Sequence, residues 1–168
     1  MTETEIKKIV QEQRTYYYTG ATLSIDARIL ALKKLKACIL KHEADINEAI
    51  KKDLGKSAFE SYMCETGLVL SEISYMLKHI HSFAREKAVH TPLAQFHSRS
   101  YKKPSPYGVV LIMSPWNYPF LLTIDPLVDA IAAGNTAVLK PSAYSPHTSE
   151  IIRAMIQECF DSKYVAVV

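Results

Sequence analysis

Ser114-Pro115-Trp116-Asn117-Tyr118-Pro119-Phe120 decides how this 168-residue chain is read. On its N-terminal side, Gly108-Val109-Val110-Leu111-Ile112-Met113 is an unbroken apolar run; on its C-terminal side a helical pattern extends to Gly134. A β-branched, apolar run that feeds a helix has the composition of a buried parallel strand followed by a βα turn. Ligands of open α/β sheets bind outside the carboxyl ends of such strands, so Ser114 to Asn117 stand where a site belongs. Asn117 supplies an uncharged amide donor there. A second run, Asn135-Thr136-Ala137-Val138-Leu139, ends at Lys140-Pro141-Ser142 and places a cation at the next strand tip.

Outward from these tips, the pattern from Tyr107 is β-α-β-α-β. Strands are expected near 109–113, 136–139 and 164–168, with helices near 119–132 and 146–160. Gly134 suits a helix C-terminus, and Ser145-Pro146 suits an N-cap followed by a first-turn proline. Pro126 falls inside the first of these helices and is expected to kink it. Strands alternating with helices imply right-handed crossovers and a parallel sheet. Before Tyr107 the chain reads as helical. A helix over Thr4 to Tyr18 carries Ile6, Ile9, Val10 and Tyr17 and ends at Gly20. A second, capped by Ser24, carries Ile25, Ile29, Leu32, Leu35 and Ile39 on one stripe. A third covers Asp45 to Leu54, and a long amphipathic helix covers Ser57 to Lys87. Ser98 to Lys103 alternates and stops at Pro104 and Pro106, which predicts a strand outside the main core, with an exposed edge that wants a partner. The expected fold is therefore α/β. N-terminal helices (1–97) and one bridging strand (98–106) precede the first βαβαβ part of a Rossmann-like parallel sheet (107–168), cut short.

Composition excludes several classes. The chain is 48% hydrophobic and 22% charged, as soluble globular proteins are. A net charge of +3 is too small for a nucleic-acid protein, and the lysines of the second helix have no interleaved aromatics. No apolar run approaches the ~18 residues of a membrane span, and the acidic, polar start does not resemble a signal peptide. Cys38, Cys64 and Cys159 are scattered and odd in number, which predicts reduced thiols in a cytoplasm. No metal site is expected: His79 and His81 are two apart and point to different faces. The final residues, Tyr164-Val165-Ala166-Val167-Val168, read as a third core strand, so a longer parent chain is expected.

Pro115-Trp116-Asn117-Tyr118-Pro119-Phe120, Ala132-Ala133-Gly134-Asn135 and Leu139-Lys140-Pro141-Ser142, in this order and spacing, resemble the aldehyde dehydrogenase superfamily. Asp53-Leu54-Gly55-Lys56-Ser57 and Thr91-Pro92-Leu93-Ala94-Gln95-Phe96 look like its class-3-like, short branch. The resemblance covers about Lys7 to Val168 and corresponds to the N-terminal portion of such enzymes. It implies an NAD(P)-dependent oxidoreductase that converts aldehydes to carboxylic acids through a cysteine thiohemiacetal. Glycine loop, general-base glutamate and nucleophilic cysteine are expected beyond Val168, so the 168 residues alone are expected to be inactive. An acyl-CoA- or acyl-phosphate-linked reductase of the same superfamily, or a non-catalytic binding or dimerisation module, are the alternatives.

By this resemblance Asn117 is catalytic, its amide donating to the oxyanion of the tetrahedral adduct. Spacing alone also fits Asn117 as the cap of the helix starting near Pro119. Met113, Ser114, Pro115 and Trp116 are implied to line the nicotinamide-ribose side of the cofactor cleft, and Tyr118 the substrate channel; composition alone makes Trp116 a core residue, and packing fits Tyr118 equally. Lys140 is implied to bind the adenosine ribose, with Ser142 beside it. Ala143 departs from the glutamate of many relatives, which widens the expected cofactor to NAD or NADP. The bridging strand implies a homodimer of the complete protein.

Overall fold

The structure is a computed structural model and describes residues 2–168. The helical half comprises α1 (Glu3–Tyr18), α2 (Ile25–Lys41), α3 (Glu43–Leu54), α4 (Ala58–Ser61) and α5 (Gly67–Ala84). A π-helical turn, Tyr62–Thr66, joins α4 to α5. Two short strands, β1 (Lys87–Val89) and β2 (Ser100–Lys102), pair antiparallel. Then β3 (Val109–Met113), α6 (Leu121–Ala133), β4 (Thr136–Lys140), α7 (Pro146–Cys159) and β5 (Val165–Val167) form the βαβαβ unit. Its sheet is parallel, in the order β3-β4-β5. The α/β class and the parallel sheet are those expected from the strand–helix alternation. No helix of the described residues is long and apolar enough to cross a membrane.

One core joins the two halves. Leu32, Leu35 and Ile39 of α2, Ile46 and Ile50 of α3, Ile73 of α5, Ile124, Leu127 and Ile131 of α6 and Leu139 of β4 are fully buried. Each such side chain contributes about 1.5–3 kcal/mol relative to exposure. α6 packs on α5 and α2, and α7 packs on α3 and α2. Helix ends follow local chemistry. Ser24 accepts the Ala27 amide at the start of α2, and Ser57 accepts that of Glu60. Gly134 ends α6 at φ 92. A Cβ there would also lie 2.8 Å from the Arg28 guanidinium carbon. That guanidinium is buried without an acid. It donates to the carbonyls of Thr22, Leu23 and Ala132 and so ties the start of α2 to the end of α6.

Several expectations are corrected. Expected as a buried strand, β3 lies at one end of the three-stranded sheet among the described residues: Val110 and Ile112 pack on the core, whereas Leu111 and Met113 are 61% and 68% exposed. The long helix over Ser57–Lys87 is broken by the π turn and stops at Ala84. Lys87 to Val89 is instead the strand that pairs with Ser100–Lys102, shorter than the expected 98–106 segment. The apolar stripe of α1 is not its anchor. Only Gln13 is buried, and its amide donates to the carbonyls of Ala137 and Ser162. α6 begins at Leu121, two residues later than expected, and contains Pro126 as expected, at the loss of one internal hydrogen bond.

Candidate functional site

The carboxyl ends of β3 and β4 lie side by side. Met113 is in register with Lys140, and the Ser114 amide donates to the Lys140 carbonyl at 3.3 Å. The sheet thus brings together the residues singled out at the two tips. Met113, Pro115, Trp116, Asn117, Tyr118 and Lys140 are exposed, with Trp116 at 54%. Among the described residues, the side chains of Asn117 and Lys140 have no hydrogen-bond partner; both polar heads are free to meet a ligand. Ser114 is different: it is buried, and its hydroxyl is 2.6 Å from that of Thr123. Thr123 in turn donates to the Pro119 carbonyl. The Ser114 hydroxyl therefore braces the turn. Ser142 is also buried; it accepts the Tyr144 amide, and its carbonyl accepts the Ser149 hydroxyl.

Beside the β4 tip lies a groove of about 420 Å³, lined by Lys140, Ser142, Ala143, Ser149, Arg153 and Val168 among others. Its lining side chains include the Lys140 ammonium and the Arg153 guanidinium, which donates to the Val167 carbonyl. A separate cavity of about 470 Å³ lies between α2, α5 and α6 and takes in none of the strand-tip residues.

Asn117 does not cap α6. The Phe120 and Leu121 amides donate to Glu65 Oε2, at 2.9 and 3.2 Å, from a fully buried glutamate in the π turn. Lys56 pairs with Glu65 Oε1 at 2.6 Å. Its ammonium also reaches the Asn117 carbonyl (3.3 Å) and stands 4.1 Å from the centre of the Tyr118 ring. Nor does the Ser145 side chain cap α7. Asp53 does so, accepting the His147 and Thr148 amides and the Thr148 hydroxyl. Within Asp53-Leu54-Gly55-Lys56-Ser57, then, Asp53 caps α7, Gly55 ends α3 in the left-handed region, Lys56 pairs with Glu65 and Ser57 caps α4. Asp53→Ala is expected to cost about 1–2 kcal/mol of stability, read by thermal or urea unfolding. Asp53→Asn, which keeps one acceptor, should cost less.

None of the cysteines is an activated thiol at the tips. Cys38 and Cys159 are buried, and burial raises both thiols, Cys159 to about 12. A nucleophile needs the opposite shift. Cys64 is half-buried in the π turn. Cys38, His42 and Glu158 lie within 4.8 Å of one another. Their carboxylate is already held by Lys41 (2.7 Å) and His42 (2.8 Å), so they form an ion-pair cluster between α2 and α7.

The model of the aldehyde dehydrogenase family matches residues 1–168. The chain belongs to the aldehyde dehydrogenase family. Among curated relatives of this aldehyde dehydrogenase chain, the 4,4'-diaponeurosporen-aldehyde dehydrogenase of Staphylococcus aureus is 42% identical over 97% of the chain and 36% of its own length. Aldehyde dehydrogenase family 3 member H1 of Arabidopsis thaliana is 37% identical, covering 98% and 34%. The dimeric NADP-preferring aldehyde dehydrogenase of Canis lupus familiaris is 38% identical, covering 98% and 36%. The class-3-like expectation agrees with the family 3 relative. A solved structure, the substrate-bound state of Staphylococcus aureus AldH, superposes with a TM-score of 0.94 at 42% identity, over 97% of this chain and 36% of that one. The chain thus spans about a third of the length of the relatives it matches.

The sequence did not reveal Glu65 or Arg153 as residues at these tips. Lys56 and Asp53 were visible only as letters of a motif. No local signal marks Glu65, whose partners are nine residues away (Lys56) and 55 and 56 residues away (Phe120 and Leu121).

Proposed function

We propose that the full-length protein carrying this chain oxidises aldehydes to carboxylic acids with NAD+ or NADP+. The observation that carries this reading is the pairing of the β3 and β4 tips in register, with the free amide of Asn117 on one and the free ammonium of Lys140 on the other. The residues fit a nicotinamide dinucleotide. Main-chain atoms of Met113 to Trp116 would line its nicotinamide-ribose side, and Lys140 and Ser142 would hold the adenosine ribose beside Ala143. Bound there, the nucleotide supplies the acceptor for the aldehyde hydride. Asn117 donates its amide to the oxygen that gains charge when a thiolate from outside this chain attacks the carbonyl. A fixed neutral dipole suits that task, because no counter-charge has to be displaced first. Tyr118 and Trp116 give the substrate side an apolar wall, consistent with an apolar aldehyde.

In the same reading, residues 1–97 support the cofactor unit, 98–106 form a bridging segment and 107–168 begin the Rossmann-like sheet. The exposed β1–β2 pair has unpaired strand edges, which favours a homodimer joined there. Three free thiols favour a reducing cytoplasm.

The test is steady-state oxidation of octanal by the full-length protein without coenzyme A. Octanoate and reduced cofactor in equal amounts support the proposal. Activity only with coenzyme A or phosphate would point to the acyl-transferring relatives instead. A cofactor prediction follows from Ala143. The 2′-phosphate of NADP+ brings roughly two negative charges, and the side chains at the β4 tip include the cations Lys140 and Arg153 and, at position 143, an alanine. The wild type is expected to use both cofactors. Ala143→Glu introduces a like charge and should shift the kcat/KM ratio toward NAD+. Equal ratios in the two proteins at one ionic strength would show that position 143 does not set the choice.

A further inference from the structure

The turn that carries Asn117 is held from outside itself. Between the end of β3 and the start of α6 it has no side-chain cap, since Phe120 at the N-cap position makes none. Glu65 substitutes for that cap with Oε2, while Lys56 occupies Oε1. Both carboxylate oxygens are therefore saturated, which a fully buried charge requires. Lys56, with its side chain 12% exposed, contacts Asn117 and Tyr118, and Glu65 contacts Phe120 and Leu121. The pair grips the turn on both sides of Pro119. It fixes the main chain of Asn117 by its carbonyl and leaves the side-chain amide free.

The π turn is what aims Glu65 at α6. Tyr62–Thr66 winds more widely than an α-helix, and a Cβ at Gly67 would lie 2.7 Å from the Tyr62 carbonyl oxygen. The wide turn thus depends on glycine. Irregular turns of this kind are frequent at functional sites. The charges also matter. Glu65 plugs the positive end of the α6 dipole, so this N-terminus does not receive an anion, and oxyanion stabilisation on this strand falls to Asn117. Lys56 in turn neutralises Glu65, which would otherwise place a bare carboxylate close to the developing negative charge.

We propose that Lys56 and Glu65 are positioning residues that hold the Asn117 amide at the reacting carbonyl and keep the neighbouring field neutral. This rests on the dehydrogenase reading above. Neither residue touches substrate; both act through the 117–121 segment. Displacement of a catalytic group by about 1 Å costs as much as 100-fold in rate.

The experiment uses the full-length protein with octanal and NADP+, and measures kcat, KM, cofactor Kd by titration and the folded fraction by circular dichroism. Lys56→Met is expected to lower kcat about 10- to 100-fold, with cofactor Kd changed less than about twofold. Lys56→Arg should restore most of that loss. The double variant Lys56→Met with Glu65→Gln should have a higher kcat per folded molecule than Lys56→Met alone, because the bare carboxylate is gone; a purely structural pair would recover only folded fraction, not kcat per folded molecule. If the wild type itself oxidises no aldehyde, the dehydrogenase reading falls first. If the wild type is active and folded Lys56→Met keeps its kcat, the positioning role is overturned. A loss of kcat that only tracks the folded fraction in all three variants overturns it equally.

Discussion

Replacing Asn117 by alanine in the full-length enzyme is expected to lower kcat about 100- to 1,000-fold, the scale seen when one oxyanion donor is removed. The reason lies in the geometry of the β3 tip. The amide is exposed and has no partner among the described residues, so nothing in the resting fold depends on it. The capping of α6, its competing role, belongs to Glu65. Removal of the amide should then cost little stability and little cofactor affinity, while the transition state loses a donor that the ground state hardly uses. Asn117→Asp is the sharper variant, because it keeps the shape but replaces the neutral donor with a negatively charged acceptor beside the oxyanion; it should be at least as slow. Near-wild-type turnover of folded Asn117→Ala would remove the asparagine from the chemistry.

The second large effect concerns stability. Phe120→Ala should destabilise the fold by about 3–5 kcal/mol, the usual range for emptying a buried phenylalanine site. Phe120 is fully buried in the core shared by α2, α5 and α6, and its own amide is one of the two that Glu65 accepts. Cavity formation and loosening of the cap therefore act at one residue. Urea unfolding measures the loss, and Phe120→Leu should recover more than half of it, since most of the apolar volume returns. A cost under about 1 kcal/mol would mean that the α6 start is not anchored where the structure puts it.

What the sequence disclosed was whatever short-range pattern encodes. The alternation of apolar runs and helical segments after Tyr107 was enough for the parallel sheet, and Gly134 for the end of α6. Ser24 gave the start of α2 for the same reason: a cap and its acceptor lie within one turn. What it did not disclose depends on partners far along the chain. Ser145 looked like the α7 cap, but the Thr148 amide goes to Asp53, 95 residues away. Glu65 falls within the segment read as one long amphipathic helix, and only the folded chain brings it to the start of α6. β3 misled for another reason. All five of its residues are apolar, so nothing in their order tells Leu111 and Met113, which are exposed, from Val110 and Ile112, which pack inward. Lys87–Val89 was invisible as a strand because three residues carry too little period-two signal and the pairing partner lies across a loop.

The tips of β3 and β4 as the cofactor site are tested most directly by amide hydrogen exchange of the full-length protein with and without saturating NADP+. Exchange reports local protection and does not depend on the choice of aldehyde. The expected result is slowed exchange in Leu111–Trp116 and in Lys140–Ser149, with α1 and the β1–β2 pair unchanged. Protection confined to other segments, with both tips exchanging as in the free protein, would contradict it.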